Sequence, residues 1–349
     1  MEQERRRWNL PAVLYSAVIV FTIFMLLASI PFGTYAVFYT RLSTIYSWQT
    51  KIASVPFYIG LLTIRLPLSP SYGELFGVLT GAIVVLLAFA AIQRGGLLRA
   101  LKGSSKGDFS AIFRNSLSST VVILGATLLA TVMLGAIQSS VGIQAGGISG
   151  DPLDLLVSFT LAPFIEEIGY RFFLIGVPLF ALMLVTGSPM KQSARSLWRP
   201  SAAWEQETSF SDSHKLVVYL LIAVSSVLFG LAHYLSGAGW QVGKISEAAL
   251  DGFALGYLYA RYGLHSSIIF HWAVDYASNA FAFYGQAVYD IPWTSNSVFS
   301  VVPTVDILVL VGVPGFFYLT YRFIMWWVNS RKALKTDEPA AIPTTPQPA

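Results

Sequence analysis

From Leu10 to Thr40 the chain carries no charged side chain, and comparable uncharged stretches run from Leu75 to Gln93 and from Asn115 to Gly150. A bilayer core needs about 20 apolar residues per helical crossing, so these runs fix the solvent before any motif is considered. Composition agrees: 55% of the 349 residues are hydrophobic and 11% charged, against about 25% charged in a soluble domain. The chain is expected to be an all-α polytopic integral membrane protein of about eight crossings, near residues 11–31, 73–92, 117–137, 155–182, 216–235, 247–262, 264–282 and 303–327. Residues 1–331 then form one transmembrane domain. The Pro- and Thr-rich tail, 332–349, reads as disordered, and the polar stretch 188–215 as a cytoplasmic loop. Residues 52–66 are apolar but short and carry Pro56 and Arg65, which predicts an interfacial or re-entrant segment, with a ninth span as the alternative.

Charge sets the expected orientation. Arg5, Arg6 and Arg7 precede the first run like a signal-peptide n-region, but the run is too long and lacks a small-residue cleavage pattern, so an uncleaved first helix is expected. With the N-terminus inside, Arg94, Arg99, Lys102, Lys106, Arg114, Lys191, Arg195, Arg199, Lys215, Arg261 and the bases from Arg322 onward fall on the cytoplasmic side. Arg41, Lys51, Arg65 and Lys244 fall outside, and the positive-inside rule puts both termini in the cytoplasm. The net charge of +4 is dispersed over short loops, which argues against a nucleic-acid partner. The chain has no cysteine, which excludes disulfides, thiolate nucleophiles and cysteine-ligated metals.

Ionisable side chains inside such runs are expensive unless paired or wet, and so mark function. The fourth span contains Glu166, Glu167 and Arg171 in APFIEEIGYRFFLIG, the fifth ends in FGLAH with Phe229 and His233, and the seventh carries His271, Asp275 and Asn279. Glu167 and Arg171 are four residues apart and can pair on one helix face. Glu166 points about 100° away, free for another role. Phe229 lies one turn from His233, and His271, Asp275 and Asn279 form a stripe. Structural roles suit His265, as a helix–helix hydrogen-bonding residue, and Asp251, as an interfacial or ion-paired group. Counted from the cytoplasmic side, His233 and His271 differ in depth by about 15 Å, so tilted or staggered helices must bring them together. Other chemistries fit less well. The His-Glu-x-x-His string of a metalloprotease helix is missing, no Gly-x-Ser-x-Gly-like string sits on a span, and the nearest aspartyl-protease-like string, GGISGD, ends at Asp151 in a loop.

The strings EEIGYR, FGLAH and HWAVD occur in the order of the Glu-Glu-x-x-x-Arg, Phe-x-x-x-His and His-x-x-x-Asn/Asp motifs, and the chain from about 155 to 285 resembles the CPBP family, the CAAX proteases and bacteriocin-processing (Abi) proteins. The resemblance implies an intramembrane glutamic endopeptidase related to the type II CAAX prenyl protease, with its site between spans 4, 5 and 7. In that reading Glu166 is the general base, His233 helps hold the attacking water, and His271 with Asp275 faces the oxyanion. Glu167 and Arg171 hold the first motif in place. The implied substrate is a peptide or protein at the membrane, prenylated C-terminal peptides being one class. No cofactor or metal is required, zinc held by Glu166, His233 and His271 being the alternative. Asp275 departs from the prenyl-protease Asn, because an ionised Asp repels an oxyanion. Protonation of Asp275, Asp275 orienting His271 as an imidazolium, or Asn279 supplying the amide all answer that departure and stand open at this level. A proton-coupled transporter and a non-catalytic scaffold or immunity protein are the competing functions.

Overall fold

The uncharged runs fold as helices because a helix satisfies every interior backbone group within its own segment, which a lipid solvent demands. The computed structural model describes residues 9–204, 212–294 and 304–336. Helix α1 (Leu10–Phe38) leads to a two-stranded antiparallel hairpin, β1 (Val55–Ile59) and β2 (Leu62–Leu66), and then to α2 (Tyr72–Ile92), α3 (Leu97–Ser105) and α4 (Ser116–Ser140). The first motif helix is α5 (Pro152–Glu167), continued through π-type turns at Ile168–Gly176 into α6 (Val177–Val185). Two short helices, α7 (Met190–Trp198) and α8 (Ser201–Trp204), precede α9 (Asp212–Leu235) and α10 (Gly243–Tyr262). The chain turns at Gly263 into α11 (Leu264–Trp272), passes through a second π segment at Ala273–Ala277, and ends with α12 (Ser278–Tyr289) and α13 (Thr304–Thr336).

Six helices among the described residues are long and apolar enough to cross a membrane: Leu10–Phe38, Tyr72–Gly95, Ser116–Ser140, Pro152–Val185, Lys215–Leu235 and Asp306–Met325. They coincide with six of the eight expected spans. The other two, 247–262 and 264–282, are helical but do not meet those criteria: α10 contains Lys244, Glu247, Asp251 and Arg261, and the run from α11 into α12 carries His265, His271, Asp275 and Asn279. Residues 52–66 are not a ninth span, because Val55–Leu66 is a β-hairpin. The expected loop 188–215 contains helices α7 and α8, since amphipathic α7 buries Gln192, Ser193 and Ser196. Helix α13 continues to Thr336, so the first residues expected in a disordered tail are helical. Arg5, Arg6, Arg7 and residues 337–349 lie outside the described residues.

Two capping residues tie the bundle at opposite ends. Asn115 accepts from the N–H groups of Leu117 and Ser118 at the start of α4, while its amide donates to the carbonyls of Ala90, Ala91 and Gln93 (2.9–3.1 Å) at the end of α2. At the other end Asp151 caps α5 through the Leu153 N–H (3.0 Å) and accepts from Ser43 Oγ (2.5 Å) and the N–H groups of Thr44 and Ile45 (both 3.1 Å). Between the ends, helices approach closely at small residues, as packing in lipid requires. A side chain at Gly252 or Gly256 of α10 would run into Ser226 or Ile222 of α9, and this contact sets the height at which α9 delivers Phe229 and His233.

Burial acts to raise the Asp151 pKa, but the hydrogen bonds from Ser43, Ile45, Leu153 and Thr44 outweigh it and hold the carboxyl below its ordinary value. The stabilisation is therefore complete above the unfolded carboxylate pKa of about 3.9 and is lost as pH falls through the lower folded value. Asp151→Ala is expected to lower stability by about 1–3 kcal/mol at neutral pH, read as a lower melting temperature in detergent, with the difference from wild type narrowing in acid.

Candidate active site

The three sequence motifs meet where the first motif helix changes its hydrogen bonding. Both α5 and α11 switch from α to π turns at the motif residues, Ile168–Gly176 beginning just after Glu167 and Ala273–Ala277 containing Asp275. An i→i+5 turn inserts an extra residue and re-aims the side chains around it, and such turns occur often at functional sites.

Glu167 is the hub. Its side chain has no exposed surface, and one oxygen, Oε2, receives Arg171 Nε (3.1 Å) and the hydroxyl of Ser267, while Oε1 meets His271 Nδ1 at 2.9 Å. Arg171 in turn donates through Nη1 to Ser225 Oγ (2.8 Å), which donates to the Tyr170 carbonyl. The guanidinium lies 4.8 Å from the centre of the Phe229 ring, a cation–π contact strengthened by desolvation. The expected pair of Glu167 with Arg171 is thus present, and it reaches further than one helix: it fixes the orientation of the His271 ring.

The opposite edge of that imidazole faces two more carboxylates. His271 Nε2 lies 3.2 Å from Asp275 Oδ2 and 3.8 Å from Glu166 Oε2. Glu166 and Asp275 keep 20% and 28% of their side-chain surface exposed, whereas His271 keeps 6%. Glu166 therefore sits at the accessible edge of an otherwise buried cluster. Phe229 packs against both imidazoles, with ring centroids 4.7 Å from His233 and 5.7 Å from His271. The two imidazoles expected at different depths thus meet on one phenylalanine ring. His233 Nδ1 lies 2.9 Å from the Phe229 carbonyl; a carbonyl can only accept, so Nδ1 carries the proton and a neutral ring presents Nε2 as an acceptor.

Some expected residues lie elsewhere. The Asn279 amide donates one N–H to the Asp275 carbonyl at 2.7 Å on its own helix. Asp251 is in range of Thr131 Oγ1 (3.4 Å) between α10 and α4. His265 is fully buried between Trp198 and Phe89, beside Ser116 and Ser266, the structural place foreseen for it. A cavity of about 830 Å³ bounded by Phe38, Tyr39, Trp48 and Phe76 lies between α1 and α2. Its Phe76 wall stacks on Tyr276 at 6.4 Å, and its lining includes none of Glu166, Glu167, His233, His271 and Asp275. Among the described residues no group of three or more His, Asp or Glu is arranged to hold a metal ion.

Sequence reasoning passed over Ser225 and Ser267, although both lie one helical turn before a motif residue, Phe229 and His271. The i−4 spacing was the available signal. Removing Arg171 would strand a buried carboxylate, so Arg171→Ala is expected to lose about 3–5 kcal/mol of stability. Ser225→Ala, which removes one hydrogen-bonding hydroxyl, is expected to lose about 1 kcal/mol, both being read from unfolding midpoints in a common detergent.

Residues 147–277 match the family model described as type II CAAX prenyl endopeptidase Rce1-like. No curated protein and no solved structure matches the chain. The matched region takes in α5, both π segments, Phe229, His233, His271 and Asp275, and leaves out α1 to α4, the β-hairpin and α13. On that match, together with the three motifs in order, the motif-bearing part of this chain is similar to the type II CAAX prenyl endopeptidases of the Rce1-like family.

Proposed function

We propose that the protein is an intramembrane endopeptidase that hydrolyses a peptide bond in or beside the membrane with a water activated by Glu166, in a cavity between α5, α9 and α11. The observation that carries this reading is the meeting of Glu166 and His271 at 3.8 Å, at the one partly exposed edge of a buried charge cluster, with the Phe229 and His233 pair alongside. In this reading α10 and α11 through α12 are membrane-embedded as well, which gives eight crossings with both termini cytoplasmic.

The chemistry follows from the donor set. Water places one O–H toward Glu166 and the other toward His233 Nε2. Glu166 takes the first proton as the oxygen attacks the scissile carbonyl. His271 has a carboxylate on each ring nitrogen, the surroundings of a doubly donating imidazolium, and its positive charge faces the developing oxyanion. Asp275 then holds His271 rather than touching the oxyanion, which answers its departure from Asn. Glu166 returns its proton to the amide nitrogen as the C–N bond breaks, leaving a carboxylic acid and an amine. The family match supports a peptide or protein at the membrane as the substrate, with C-terminal prenylated peptides the first class to test.

The test is hydrolysis of prenylated and plain hydrophobic peptides by the full-length protein in lipid, with and without a zinc chelator, beside Glu166→Gln. Cleavage that survives chelation and falls by about 100-fold or more in Glu166→Gln is the expected result. Cleavage abolished by the chelator would replace it with zinc chemistry. A well-folded protein that cleaves nothing would overturn the reading: Glu166-dependent proton flux in sealed liposomes would then mark a transporter, and its absence a scaffold or immunity protein.

A further inference from the structure

The β-hairpin has an unusual address. The Pro152–Val185 span begins at the Asp151 end of the bundle, and Gly169 lies 17 residues along it, about 25 Å at 1.5 Å per residue. A side chain at Gly169 would collide with the Tyr58 carbonyl of β1, one at Gly60 would touch Leu174 (3.5 Å), and the Phe57 ring meets the Phe173 ring edge-on at 5.9 Å. The hairpin therefore docks on the middle of a membrane-crossing helix, within three residues of Glu166. Among the described residues strand β2 has its second edge unpaired in a two-stranded sheet, and open strand edges at bilayer depth persist where they are covered by protein or line a water-filled cavity. The hairpin supplies a polar face for such a cavity: Tyr58 pairs with Thr63 and Pro56 with Arg65, so Tyr58, Thr63 and Arg65 project to one side. Burial and then the Glu166 carboxylate disfavour ionisation of the Tyr58 phenol, with Arg65 opposing; the phenol thus stays a proton donor under the influence of the Glu166 charge.

We propose that the β1–β2 hairpin is a further wall of the active site and that Tyr58 is a positioning residue, its hydroxyl directed at the Glu166 carboxylate and fixing that side chain for its work. The proposal rests on the assignment of Glu166 as the base, and it adds a residue outside the region matched to the family. Gly169 belongs to the same device, because the absence of a side chain there lets the Tyr58 backbone close on the helix.

Tyr58→Phe keeps the ring and removes the hydroxyl. In full-length protein in lipid, kcat on a peptide that wild type cleaves is expected to fall at least about tenfold with KM and melting temperature unchanged. Gly169→Ala is expected to lower kcat with Tyr58 still present, by displacing the hairpin. The infrared carboxyl band assigned to Glu166, by its loss in Glu166→Gln, is expected to shift in Tyr58→Phe. That band needs no substrate, so it reads the contact even if wild type cleaves nothing, the outcome that would sink the protease reading alone. Wild-type kcat and an unshifted Glu166 band in Tyr58→Phe would overturn the proposal.

Discussion

A carboxylate with no exposed surface in the middle of an apolar helix has to find all of its partners within the protein, and Glu167 is that carboxylate here. Its partners are Arg171 from its own helix and Ser267 and His271 from α11. Satisfying Glu167 therefore binds the first and third motifs into one unit. Arg171 then reaches Ser225 and the Phe229 ring, which brings in the second motif. Leaving any of these groups unpaired in a low-dielectric interior would be far more unfavourable than leaving it in water, so the network acts together and fixes how three helices face one another.

The rest of the fold keeps those helices at the height the network needs. Asp151 and Asn115 anchor opposite ends by satisfying the orphan N–H groups of one helix while gripping a neighbouring segment. The glycine contacts of α10 let α9 come close enough to place Phe229 between the imidazoles of His233 and His271. The π turns re-aim the residues that follow Glu167 and His271. Rigidity at the ends and a departure from α geometry in the middle leave Glu166 and Asp275, the least buried carboxylates of the cluster, where a reacting group can approach.

The motif triplet carried much of the site in the sequence. Glu167 with Arg171 and His271 with Asp275 are four-residue pairs that helix geometry brings together, and the structure has both. Asn279 fits the same stripe yet bonds to its own helix, because a spacing of four is also the spacing at which a side chain meets the backbone carbonyl of the preceding turn. Tyr58 is more than one hundred residues from Glu166 in a segment with no motif, and its place depends on a glycine in another helix. Residues 247–262 and 264–282 show where hydropathy stops: both are helical, but their polar side chains keep them below the apolarity of a membrane-crossing helix.

The sequence by itself determined the solvent, the helical class and the residues that had to be satisfied away from water, because long uncharged runs tolerate few other structures and each buried charge demands a partner. Only the tertiary structure decided which partner each one took. The contact of His271 with Glu167 on one ring edge and with Glu166 and Asp275 on the other, and the docking of the hairpin on Gly169, depend on how the helices pack and on close backbone approach. Those quantities are set by packing among segments far apart in the chain, and local spacing carries no information about them.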